Sequence, residues 1–177
     1  MNDFSDFLGF INQQLNTKGM PRLESFLMPA NFSSIVSEFM NIAIPKYCVT
    51  LVRNQYHNGH PDLIPAGMFS DNAVKHSDQG IEIKASRHVS GWQGHNPEAV
   101  WLMVFCFDSD TSHAGKTDRE SKPFFFKGVY GAKLDKSDWT FSGRSGNSRR
   151  TITATVNKNG MQKMKSNRIY EDSGCKA

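Results

Sequence analysis

Cysteine is scarce in this chain of 177 residues: only Cys48, Cys106 and Cys175 occur, an odd count with no CxxC spacing. That excludes a disulfide-stapled framework and a cysteine-rich zinc module. A chain of this length needs neither, because it buries a substantial core unaided. Long hydrophobic runs are missing too. The most extended one, residues 99–107, falls well short of the ~20 residues that span a bilayer, so no membrane partner is expected. Met1-Asn2-Asp3 lacks the basic start of a leader, and the expectation is a cytoplasmic protein with free thiols. There is no internal repeat, no low-complexity tract and no linker, so residues 1–177 are expected to form one domain. Charge of one sign is not strongly in excess. A net charge of +4 permits a polyanionic partner without demanding one.

The apolar pattern is that of a mixed α/β protein. Phe4, Phe7, Leu8, Ile11 and Leu15 recur at the spacing of one helical face, and Gly19-Met20-Pro21 stops it. A second helix is expected over residues 33–44, with Ile35, Phe39 and Ile42 on one face and Pro45 as its end. β-branched and aromatic residues suggest strands over 47–52, 100–107, 123–134, 139–141 and 151–156. Residues 161–170 read as a short basic helix, with a frayed tail from Glu171 onward.

The chain is organised around residues 60–87. Ile81 and Ile83 alternate with Glu82 and Lys84 at the period of a strand, which sends the isoleucines to one face and the carboxylate and ammonium to the other. Asp62 follows Pro61, a residue confined to strand ends and bulges, where a side chain escapes regular pairing. Two carboxylates brought to one point repel unless a cation lies between them, and hard oxygen donors suit Mg²⁺. The six histidines are not needed for this. His57 and His60 have a zinc-like spacing, but no cysteine and no second close pair completes a site, so the histidines are expected to be scattered loop residues.

Pro61-Asp62, a gap of hairpin length, and Glu82-Ile83-Lys84 on a strand together resemble the signature of the PD-(D/E)XK nucleases, the superfamily of many type II restriction endonucleases. The resemblance implies a restriction-endonuclease-like α/β fold, a central mixed sheet flanked by helices. It implies Mg²⁺, with Mn²⁺ as substitute, held by Asp62 and Glu82, and Lys84 orienting the attacking water. No organic cofactor is implied. Glu38, on the second helix, either adds a third metal-binding acid or is a solvated surface residue.

The expected substrate is double-stranded DNA. Arg87, Trp92 and Gln93 lie in the glycine-dotted run after Lys84, where they either touch DNA or, for Trp92, cap the core. Arg144, Arg149, Arg150, Lys158 and Lys163 supply a basic C-terminal segment, either a DNA-facing surface or a solubilising tail. Cutting both strands with one site per chain calls for a homodimer. A structure-directed nuclease such as a junction resolvase uses the same residues, and a non-catalytic DNA-binding module is the alternative from another class.

Overall fold

A computed structural model describes residues 1–94, 98–110, 122–142 and 153–172. Its helices are α1 (Asn2–Thr17), α2 (Leu23–Phe26), α3 (Pro29–Tyr47) and α4 (Lys158–Ser166). Its strands are β1 (Leu51–Arg53), β2 (Leu63–Pro65), β3 (Ile81–Ser86), β4 (Gln93–Gly94), β5 (Trp101–Asp108), β6 (Phe125–Lys133), β7 (Trp139–Ser142), β8 (Thr153–Val156) and β9 (Arg168–Glu171). The fold class is mixed α/β. Six strands form one mixed sheet in the order β1-β2-β3-β5-β6-β9, in which β3 and β5 are parallel and the other pairings antiparallel. Among the described residues no helix is long and apolar enough to cross a membrane.

Strand alternation divides the sheet into two apolar faces. On one, Leu63, Ile83, Phe105, Phe107 and Phe126 pack against Phe4 and Leu8 of α1 and Phe32, Val36 and Met40 of α3. This core is aromatic, with Phe124 and Phe126 meeting edge to face at 5.0 Å, and each fully buried side chain is worth about 1.5–3 kcal/mol. On the other face, Leu102, Val104 and Cys106 pack against a second layer made of α4 and a small sheet of order β4-β8-β7. The Asn157 side chain caps α4 by accepting the Asn159 and Gly160 amides at 3.0 and 3.1 Å.

Several expectations are corrected. α3 passes through Pro45 to Tyr47 instead of ending at residue 44, so β1 begins only at Leu51. Proline removes one hydrogen bond in the last turn, and the Cys48 amide still closes that turn on the Ile44 carbonyl at 3.0 Å. Ile42 points to solvent, because the face of α3 that meets the sheet is that of Phe32, Val36 and Met40. The expected helix over residues 161–170 is two elements. α4 ends at Ser166, and β9 then pairs with β6 at the sheet edge.

Candidate active site

The Asp62 end of the site is built by a buried asparagine. The Asn54 side chain donates to the carbonyls of Pro61 at 3.0 Å and Val74 at 2.8 Å and accepts the amides of Tyr56 and Val74, while its own amide binds the Asp62 carbonyl at 2.9 Å. One side chain thus fixes the loop that delivers Asp62. The Asp62 carboxylate then crosses to the next strand, where its Oδ2 accepts the Ile83 amide at 2.8 Å. Gly80, at φ +139°, makes this approach possible, because a Cβ there would run into the Leu63 carbonyl oxygen and meet Pro61 Cγ at 2.6 Å.

In β3, Ile81 and Ile83 join the helix-side core, while Glu82 and Lys84 look into a cleft of about 730 Å³ on the opposite side. Lys84 Nζ lies 3.0 Å from Glu82 Oε1. His60 Nδ1 lies 3.0 Å from Glu82 Oε2, and His60 Nε2 is 3.7 Å from Glu98 Oε2. Asp62, Lys75, His76 and Lys136 complete much of the wall. Glu98 comes from the segment before β5, whose parallel pairing with β3 sets Trp101 opposite Ile81.

The two central acids titrate in opposite directions. Burial raises Asp62, the neighbouring Glu82 charge raises it further, and the result is about 6 despite the Ile83 amide and the Lys84 charge. Burial also pushes Glu82 upward, but the His60 hydrogen bond and the Lys84 ammonium outweigh it and hold Glu82 down to about 2. His60 is raised: burial works against its charged form, and Glu82, Glu98 and Asp62 overcome that. Glu98 is raised, first by burial and also by the Glu82 charge.

The remaining expected site residues divide. Glu38 is 62% exposed in its side chain and ion-paired with Arg53 at 3.2 Å, in an adjoining cleft that it shares with Asp62. Its charge still reaches Asp62. Trp92 is not a DNA contact but a core residue, 3% exposed, with Nε1 donating to the His88 carbonyl at 2.8 Å and its ring 5.5 Å from that of Tyr130. Burying the indole satisfies both its apolar area and its one donor. Arg87 is likewise tied into the fold: Nη2 donates to the Ser109 carbonyl at 3.3 Å, and its own carbonyl accepts Lys127 Nζ at 2.6 Å. Lys163 is ion-paired with Asp138 at 2.6 Å and with Asp135 at 3.0 Å. Gln93 and Lys158 are exposed. Arg144, Arg149 and Arg150 lie outside the described residues.

Glu98 is a site residue that sequence reasoning passed over, and His60, expected as one of several scattered loop histidines, instead joins Glu82 and Glu98 in the cleft. His60 was available as the neighbour of Pro61-Asp62, whereas Glu98 carries no local signal. Lys75 and Lys136 were also missed. No family model, curated protein or solved structure matches the chain.

Proposed function

We propose that this protein is a metal-dependent deoxyribonuclease of PD-(D/E)XK type, with a restriction-endonuclease-like arrangement of its mixed sheet, cutting phosphodiesters of double-stranded DNA. The observation that carries this reading is the convergence on one cleft of Asp62, from the bend before β2, with Glu82 and Lys84 of the neighbouring strand β3. Lysines at the same cleft, Lys75 and Lys136, add positive charge for a phosphate backbone. The donor set suits Mg²⁺ or Mn²⁺, since Asp62 and Glu82 offer hard oxygens whose mutual repulsion a cation relieves. When bound, the cation supplies charge neutralisation at the phosphate and a more acidic water.

The chain's own groups do the rest. Asp62 acts in its ionised form, which limits function on the acid side. Lys84 is held by Glu82 with its ammonium directed into the cleft, where it orients the attacking water and offsets the negative charge gained in the transition state. Cleaving both strands requires two copies of the site, and a twofold homodimer on DNA supplies them.

The test is nicking of supercoiled plasmid with Mg²⁺ by the wild type and by Asp62→Ala. Metal-dependent cleavage that disappears in the variant is the expected result. A plasmid left intact at every Mg²⁺ and Mn²⁺ concentration, with DNA still bound, would leave a non-catalytic module. Cuts confined to branched DNA would identify a structure-directed nuclease.

A further inference from the structure

His60, Glu82 and Glu98 come from three separate places in the chain, and one ligand atom of each lies within 4.8 Å of the other two. The three side chains are only 15–17% exposed. Two carboxylates therefore point inward at one imidazole instead of turning out to solvent. The supporting contacts fix that geometry. The His60 ring stacks on His76 with centroids 5.2 Å apart, and its backbone is pinned by the Lys75 carbonyl at 3.1 Å and the Ser77 amide at 2.9 Å. The Glu98 backbone is held by Trp139, whose Nε1 donates to its carbonyl at 3.0 Å. Outer partners of this kind orient metal ligands.

We propose that His60, Glu82 and Glu98 form a binding site for a first-row transition divalent cation, of the Mn²⁺ to Zn²⁺ class, in preference to Mg²⁺. Imidazole is a poor ligand for Mg²⁺, which demands oxygen donors and keeps its waters, whereas a mixed imidazole and carboxylate set suits the transition ions. The site shares Glu82 with the Asp62 side of the cleft. The nuclease reading is needed to give the cation a role, but not for its binding.

The probe is Co²⁺, added to chelator-stripped protein and followed by its visible absorption, with Mn²⁺ followed by its paramagnetic resonance signal. Wild type should bind one equivalent that a large excess of Mg²⁺ does not displace, and the affinity of that equivalent should fall at least about tenfold in both His60→Ala and Glu98→Gln. Glu98→Gln preserves size and decides the matter if His60→Ala fails to fold. Unchanged Co²⁺ binding in Glu98→Gln, or displacement of Co²⁺ by equimolar Mg²⁺, overturns the proposal. Co²⁺ bound through these residues by a protein that cuts no DNA would uphold the site and sink the nuclease reading, so the two failures are distinct.

Discussion

The Asp62 carboxylate accepts the Ile83 amide at 2.8 Å, so the acid that precedes β2 is tethered to the strand that carries Glu82 and Lys84. Their relative position is therefore set by backbone geometry and not by a flexible loop. Asp62→Ala, Glu82→Ala and Lys84→Ala are each expected to lower single-turnover cleavage by about a hundredfold or more, comparable to losing one electrostatic donor in other active sites. DNA binding should persist. Near-wild-type cleavage by Glu82→Ala would overturn the assignment of this acid.

The opposed titration of the two acids predicts opposed effects on stability. Asp62 binds its proton more tightly folded than unfolded, so its contribution is fully present at low pH and is lost as pH rises through about 6. In metal-free protein at pH 7, Asp62→Asn should therefore stabilise by about 1–2 kcal/mol while cleavage is lost. Glu82 has the reverse sign. Its stabilisation is present above the ordinary carboxylate range and disappears as pH falls toward about 2, so Glu82→Gln should destabilise at pH 7. Urea unfolding with a chelator present reads both. A less stable Asp62→Asn would show that repulsion at this site has been misjudged. A bound cation favours the ionised carboxylate, so the acid limb of wild-type cleavage should lie below the metal-free value of about 6 and move lower as Mg²⁺ is raised.

The parts legible in the sequence are those written in local periods. The face of α1 and the alternation of Ile81 and Ile83 with Glu82 and Lys84 both follow from side-chain spacing, and the mixed α/β class follows from them. Glu98 was not legible because its approach to His60 depends on β3 and β5 pairing in parallel, a non-local event. Trp92 sits among glycines and polar residues that resemble a loop, and only the packing of Tyr130 from β6 reveals it as core. β9 was misread because all four of its residues are exposed, which leaves an edge strand without alternation.

Gly80 lies immediately before β3 in a backbone region closed to other residues, with the Leu63 carbonyl and Pro61 against it. Gly80→Ala should cost about 2 kcal/mol or more, because both the dihedral strain and the collision must be relieved by shifting β2. Any such shift moves Asp62 relative to Glu82. Cleavage should fall further than the unfolded fraction explains. A variant with wild-type stability and activity would show that this close approach is not needed.

The paired state of Lys163 separates two classes of lysine in DNA binding. Its ammonium lies 2.6 Å from Asp138, a side chain only 4% exposed that also accepts the Asp135 amide at 2.8 Å. Hydrogen bonds to Asp138 and Asp135 raise the Lys163 pKa, whereas those to Asp138 lower its own against the effect of burial. Lys163 therefore stays charged, but the Asp138 and Asp135 carboxylates already offset that charge. Lys163→Ala should lower the melting temperature and leave the salt dependence of DNA binding unchanged. Lys75 and Lys136 line the cleft, and each phosphate contact they make releases counterions with a slope of roughly −0.9. Replacing both with alanine should weaken binding at low salt and flatten the slope by about one to two units. Salt titrations of the two variants on one duplex make the comparison. A flattened slope in Lys163→Ala together with an unchanged slope in the double variant would move the DNA path away from the cleft and onto the α4 side of the molecule.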